Sequence, residues 1–315
     1  MNKIPFQQLR IVFMGTPAFA VASLQKLVEA GCNIVGVITA PDKQAGRGME
    51  WQQSEVKKYA LANKLLVLQP EKLKQPDFLA QLKLLEADLQ VVVAFRMLPE
   101  VVWNMPPLGT INVHASLLPQ YRGAAPINWA IINGEAYTGI TTFKLQHQID
   151  MGNILLTAHI NIQPTDNAGS LHDKLKILGA NLLLTTLQQL ADNELTETPQ
   201  LVDTTALTPA LMHAPKLSSD TGNINWQNNA DDILNLIRGL SPYPAAYTQL
   251  NNKKLKIFSA KVGVDELQIP VGQFITDGKQ KLQFGCLNGY IDIIELQLEG
   301  KKRMLVEEFL NGYRF

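Results

Sequence analysis

The first 114 residues alternate short apolar runs with stretches of helical spacing, and this rhythm constrains the fold more than any other feature of the chain. Ile11-Val12-Phe13-Met14 reads as a strand that ends in Gly15-Thr16-Pro17, where Thr16 can cap a helix and Pro17 suits its first turn. Ala18 to Ala30 then places Val21, Leu24, Leu27 and Val28 on one helical face and stops at Gly31. Strand signals return at Ile34 to Ile38, Leu65 to Leu68, Leu89 to Ala94 and Thr110 to His114. Ser54 to Asn63 and Asp77 to Glu86 read as helices, and Pro41 to Gln53 as a polar loop containing glycine. The run from Leu89 to Ala94 is of the kind a parallel sheet buries on both faces. Together these elements predict an α/β fold with an open, largely parallel sheet and right-handed crossovers. Two further strands, Gly139 to Leu145 and Asn153 to Ile162, flank a turn at Asp150-Met151-Gly152, and a long helix follows over Ser170 to Ala191.

The texture then changes. Asp192 to Pro209 is rich in Thr, Pro and acidic residues with little apolar periodicity, and reads as a linker. Beyond it, Ala230 to Leu240 is helical. Short strands follow at Tyr247 to Leu250, Leu255 to Ala260, Gly272 to Ile275, Lys281 to Gly285 and Ile291 to Leu298. Asn251-Asn252, Asp277-Gly278 and Asn288-Gly289 supply the turns between them. That pattern predicts a small C-terminal β-barrel.

Composition narrows the function classes. The chain has 315 residues, enough for two domains. Its 28 basic and 28 acidic residues leave no net charge; residues up to Pro209 carry 16 basic against 17 acidic, and those after it 12 against 11. This excludes a protein whose whole surface is built to hold nucleic acid. It leaves room for a local patch: Lys253, Lys254, Lys256, Lys261, Lys279, Lys281 and Lys301-Lys302-Arg303 fall in the barrel, either as a solvated face or as a footprint for phosphates. Cys32 and Cys286 are too few for a disulfide framework and suit a reducing, cytoplasmic setting. The first ten residues lack a secretory pattern, and no apolar run approaches the roughly 20 residues of a spanning helix. The five histidines are scattered, so no metal is expected.

Gly109 to Pro119 is the most informative stretch. Asn112 and His114, two apart on a strand, share one face near its carboxyl end, where open α/β sheets place ligands. An amide beside an imidazole suits polarising a carbonyl and holding a developing oxyanion; the ordinary alternative is a pair of satisfied polar groups at a strand end. Asp150 is either a carboxylate that orients His114 or accepts a proton, or a turn aspartate bonded to its own backbone. Gln120 to Pro126 is a small-residue loop that admits close backbone approach and enters a helix at Ile127. Gly15-Thr16-Pro17 is neither a dinucleotide fingerprint nor a P-loop.

As a set, Asn112-Val113-His114, Ser116-Leu117-Leu118-Pro119, Tyr121-Arg122-Gly123 and the Asp150-Met151-Gly152 turn resemble the folate-dependent formyltransferase family. Phe13 to Pro17, Pro41 to Gly48 and Ala214-Pro215-Lys216-Leu217-Ser218 with Ile224-Asn225-Trp226 resemble the branch that acts on methionyl initiator tRNA, and the likeness runs from about Leu9 to the C-terminus. The resemblance implies a Rossmann-like catalytic domain over 1–192, a linker over 193–210 and an oligonucleotide-binding-like barrel over 211–315 that holds tRNA. It implies transfer of a formyl group from 10-formyltetrahydrofolate, for translation initiation, with no metal and no covalent intermediate. Catalysis falls to Asn112, His114 and Asp150. Folate contacts fall to Ser116, Leu117, Leu118 and Pro119 and to Phe95, Arg96, Met97 and Leu98, the last group departing from the Ala-Tyr-Gly of many relatives. Lys43, Arg47 and Trp51, on the inserted loop, and Lys253, Lys254 and Lys256 are expected to meet tRNA. The implied partners are initiator methionyl-tRNA and folate, with no membrane and a monomeric chain. An enzyme that formylates an amino sugar or a purine precursor, a hydrolase that releases formate, and a catalytically silent tRNA- or folate-binding protein are the alternatives. The Ala45-Gly46-Arg47-Gly48 loop and the barrel argue for tRNA.

Overall fold

Seven strands form the sheet that the apolar runs require: β1 (Arg10–Gly15), β2 (Asn33–Ile38), β3 (Val67–Leu68), β4 (Leu89–Val93), β5 (Thr110–His114), β6 (Tyr137–Lys144) and β7 (Ile154–Asn161). A computed structural model describes residues 5–45, 49–200, 211–263 and 267–314. The chain divides into two compact units, one made of Met1–Arg122, Gly139–Ile160 and Asp173–Met212, the other of Gly123–Thr138, Asn161–His172 and His213–Phe315. The described helices are α1 (Ala18–Glu29), α2 (Glu55–Ala62), α3 (Pro76–Leu84), α4 (Glu100–Trp103), α5 (Pro126–Ile132), α6 (Ala168–Ala191), α7 (Ala230–Leu240) and α8 (Val306–Gly312).

In the first unit the spatial order is β7-β6-β5-β4-β1-β2-β3. β1 is parallel to β2 and β4, β2 to β3 and β4 to β5, while β6 runs antiparallel to β5. All five residues of β4 are buried, as a strand covered on both faces must be. The strand order reverses between β1 and β4, so a topological switch point opens at their carboxyl ends, where Gly15 lies opposite Val93. Gly15 is required there: a Cβ would sit 2.6 Å from Ala20 Cβ and 3.0 Å from the Val93 carbonyl oxygen.

Local chemistry explains the helix starts, with one correction. Thr16 does not cap α1. The N-cap is Pro17, extended at φ −80° and ψ 174°, so the helix begins one residue later, at Ala18. Proline fits this position because the first amides of a helix have no intrahelical acceptor. α2 follows expectation: Ser54 accepts from the Lys57 amide at 3.0 Å, and its hydroxyl also shares a hydrogen bond with Thr39 at 2.7 Å. Replacing Ser54 by alanine is expected to cost about 1 kcal/mol, read as a lower urea midpoint at unchanged slope. Within the stretch expected to be a polar loop, two short segments form strands. Lys43–Ala45 and Glu50–Gln52 pair as an antiparallel ribbon, with Gln44 opposite Trp51. The strand residues are mostly polar, and Lys43, Gln44 and Glu50–Gln52 are exposed, so the sequence carries no alternating apolar signal.

The second unit contains α5, α7, α8 and an antiparallel sheet: β8 (Ala246–Leu250), β9 (Lys253–Val262), β10 (Phe274–Thr276), β11 (Leu282–Cys286), β12 (Gly289–Leu298) and β13 (Met304–Leu305). The order is β8-β9-β12-β11-β10, and β13 pairs with β12. Register shifts around Ser259 bend β9, which curls the sheet. The concave side is filled by Ile233, Ile237 and Leu240 of α7 and by Trp226, which stacks on Phe284 with ring centres 4.8 Å apart. β13 and α8 add closure that the sequence reading did not anticipate.

Candidate active site

β5 delivers two of the three expected catalytic side chains, and alternation along the strand puts Asn112 and His114 on one face. His114 is 7% exposed. Its Nε2 lies 3.0 Å from the Tyr121 carbonyl oxygen. A carbonyl only accepts, so Nε2 carries hydrogen and donates, and the other nitrogen is the one turned toward the site. That nitrogen, Nδ1, lies 4.0 Å from Asp150 Oδ2, and both side chains are largely buried. The gap exceeds a direct hydrogen bond and is wide enough for an intervening oxygen. The floor is Phe143, edge-on to the imidazole at 6.5 Å.

Asp150 comes from the loop between β6 and β7 and holds φ at 54°, in the left-handed region. Gly152 follows because the chain passes so close to β6 that a Cβ there would lie 1.6 Å from the Lys144 carbonyl oxygen. Sequence reasoning did not single out Gln200, which donates from Nε2 to the Asp150 and Gly152 carbonyls at 2.9 and 2.7 Å. Its Oε1 accepts from Arg122.

The expected folate residues fall into two groups. In the Ser116 to Pro119 loop, Ser116 is fully buried and donates to the Gln120 carbonyl at 2.7 Å. Thr141, opposite His114 across β5 and β6, donates to the Ser116 carbonyl and accepts from the Leu118 amide. Side-chain hydroxyls thus shape the loop. Leu118 is buried, and Leu117 and Pro119 are half-buried. Phe95, Arg96, Met97 and Leu98 follow β4 at the switch point after Ala94, itself at φ 47°. Leu98 is buried, Phe95 half-buried and Met97 74% exposed, an apolar edge beside backbone that belongs to no strand. Arg96 spans back to the Glu71 and Pro70 carbonyls, and its guanidinium rests 5.6 Å from the Phe95 ring centre. An apolar wall with unpaired-strand backbone at a switch point fits a flat heterocycle with polar edges.

The expected tRNA residues are distributed. Lys43 and Trp51, the latter 70% exposed, stand on the ribbon. Its base is fixed by Asp42, which the Lys57 ammonium and the Gln69 amide hold below the ordinary carboxylate pKa. Arg47 lies outside the described residues. In the second unit, strand alternation separates Lys253 from Lys254 and Lys256. The latter two line a cavity of about 580 Å³ with Lys216, Tyr243, Tyr247 and Ser218. Lys254 Nζ sits 4.0 Å from the Tyr247 ring centre, and Lys256 donates to the Pro244 carbonyl. Arg303 is engaged instead by Glu295 and the Phe258 ring. Among the described residues no cluster of three or more His, Cys, Asp or Glu could hold a metal, and no helix is long and apolar enough to cross a membrane.

An amide, an imidazole and a carboxylate gather near one strand end beside the switch point, the set of groups expected of a group-transfer site of the formyltransferase class. The chain belongs to the formyltransferase family: the formyl transferase domain matches over residues 9–187 and the formyl transferase C-terminal domain over 216–314. It is 51% identical to the methionyl-tRNA formyltransferase of Bacteroides thetaiotaomicron over 313 residues, covering 98% of this chain and 97% of that one. It is 50% identical to the methionyl-tRNA formyltransferase of Flavobacterium johnsoniae, covering 98% of each. Among solved structures the fold is shared with HypX from Aquifex aeolicus in complex with tetrahydrofolic acid (TM-score 0.65, 18% identity, 96% of this chain and 48% of that one). It is also shared with the N-formyltransferase from Helicobacter canadensis (TM-score 0.65, 18% identity, 94% of this chain and 100% of that one).

Proposed function

We propose that this chain moves the formyl group of 10-formyltetrahydrofolate to the free amino group of methionyl initiator tRNA, making N-formylmethionyl-tRNA for translation initiation. The observation that carries the site assignment is His114 Nδ1 facing Asp150 Oδ2 at 4.0 Å, with Asn112 two residues away on the same strand face. The folate supplies an activated formyl group, and the protein positions and stabilises. The Asn112 amide and the Nδ1–H of a protonated His114 donate to the formyl oxygen as negative charge builds there. Asp150 balances the imidazolium and takes the proton that the amine loses as it attacks the formyl carbon, directly or through one water; when the bond from that carbon to the folate nitrogen then breaks, the proton passes to the leaving nitrogen and Asp150 returns to its carboxylate form. Tyr121 keeps the ring from turning by holding Nε2. Ser116 is no nucleophile, since its hydroxyl is committed to Gln120. The folate ring takes the switch-point edge at Phe95 to Leu98 and the Ser116 to Pro119 loop.

Residues 1–192 carry the reaction and 211–315 hold tRNA; of the linking stretch 193–210, residues 197–200 are bound to the loop that carries Asp150, and a monomer works in the cytoplasm and not at a membrane. The unpaired Cys32 and Cys286 suit that compartment. The tRNA footprint comprises Lys43 and Trp51 on the ribbon, Arg47 of the same sequence segment, and the cavity rimmed by Lys216, Lys254 and Lys256. Reversing Lys254 and Lys256 to glutamate is expected to raise KM for tRNA and to lower the salt dependence of tRNA binding by about 1 logarithmic unit per lost phosphate contact, with KM for folate unchanged. Lys253→Glu, on the other face, is expected to have the smaller effect. Unchanged tRNA kinetics in the double variant would remove the cavity from the footprint. The reaction is tested by incubating the protein with 10-formyltetrahydrofolate and methionyl initiator tRNA, or an amino sugar, and measuring each formylated product. Product from the sugar and none from the tRNA would overturn the acceptor.

A further inference from the structure

Residues 197–200, within the stretch expected to be a linker, run alongside the loop that carries Asp150. Thr198 exchanges two backbone hydrogen bonds with Ile154, at 2.8 and 2.9 Å. Glu197 accepts from Asn153 at 3.0 Å and pairs with Lys144. Hydrogen bonds from Lys144 and then Asn153 hold its carboxyl below the ordinary range. Gln200 is the last member. Its orientation follows from its partners: Arg122 can only donate, so Oε1 faces Arg122, and the Asp150 and Gly152 carbonyls can only accept, so Nε2 faces them. The two bonds bracket Asp150 from its own carbonyl to that of Gly152. A non-glycine residue in the left-handed region persists only where its surroundings over-determine it. Gln200 supplies that constraint.

We propose that Gln200 is a positioning residue for formyl transfer: it clamps the Asp150 turn against Arg122 and so sets the Asp150 carboxylate at its distance from His114. The proposal rests on the reading of Asp150 as a catalytic residue. Gln200 touches neither reacting group, so its loss acts through the Asp150 turn and through Arg122, whose charge is felt at Asp150. Gln200→Leu removes both donors and the acceptor. Gln200→Glu keeps the size and the Arg122 contact but sets carboxylate oxygens against two carbonyl oxygens.

Both variants are expected to lower kcat about 10- to 100-fold, the range that a small misplacement of a reacting group produces, with KM for folate and tRNA within about 2-fold of the parent. A merely structural role would not give that split between kcat and KM. In an Asp150→Asn background, the Gln200→Leu change is expected to add less than about 2-fold, because two residues that act as one step are not additive. Single-turnover formation of formylmethionyl-tRNA reads the parent and all four variants. Hydrogen exchange at residues 150–153, faster in both Gln200 variants, reports the loosened turn without needing activity. A parent-like kcat in the Gln200 variants, or an equal loss in both backgrounds, overturns the positioning role while leaving Asp150 in place. A parent-like kcat in Asp150→Asn overturns the reading of Asp150 itself, and the proposal with it.

Discussion

Asn112→Ala is expected to lower kcat by about 10²- to 10³-fold, with little change in KM for folate, because it removes a donor aimed at charge that exists only in the transition state. The barrier rises by about 3–4 kcal/mol, typical for one oxyanion donor held in a water-poor site. The backbone is not at risk. Asn112 sits mid-strand between Val92 of β4 and Phe143 of β6, and its strand hydrogen bonds come from main-chain atoms that alanine keeps. Asn112→Asp is expected to be worse than alanine: it keeps the shape but replaces the donor with a carboxylate that repels the developing charge. Steady-state kinetics for the two variants, with circular dichroism to show an unchanged fold, provide the check. Turnover within about threefold of the parent in Asn112→Ala, far below the 10²-fold expected of such a donor, would move the oxyanion contact to His114 alone.

The strands that build this site were legible because burial wrote them into the sequence. β5 and α7 run over the residues that periodicity predicts, Thr110 to His114 and Ala230 to Leu240, since each has an apolar pattern at its own period. The Asn112–His114 pair followed from strand alternation, and its partner Asp150 from the resemblance of the whole motif set. What stayed hidden has a common physical cause. Gln200 meets Asp150 and Gly152 across 50 and 48 residues through one side-chain amide, and a polar residue in a Thr- and Pro-rich stretch gives no local sign of such a partner. In the ribbon, Lys43, Gln44 and Glu50–Gln52 are exposed, so no apolar pattern marks it. Lys216 enters the lysine-lined cavity from a segment distant in sequence, which spacing does not reveal. The separation of Lys253 from Lys254 and Lys256, by contrast, was available from the two-residue period of a strand.

Phe143→Ala is expected to cost about 3–5 kcal/mol of stability in the first unit, the range for emptying a fully buried aromatic position, and to damage catalysis as well. Phe143 is 0% exposed on β6, directly opposite Asn112. One edge of its ring meets the His114 imidazole, and a Cβ on Gly152 would lie 3.2 Å from its Cδ2, so the same ring supports both the strand and the Asp150 turn. Removing it leaves a cavity beneath two groups that must hold their separation, and the surrounding sheet can collapse only by moving one of them. Phe143→Leu, which keeps most of the volume, is expected to cost less than about 1.5 kcal/mol and to retain most of the activity. Hydrogen exchange of the β5 and β6 amides reads the stability of this unit apart from the second one, and kcat measured well below the unfolding range reads the site. If alanine lowered stability by the full amount and left kcat unchanged, the ring would be core packing only, and the imidazole would be held by Tyr121 and its own strand.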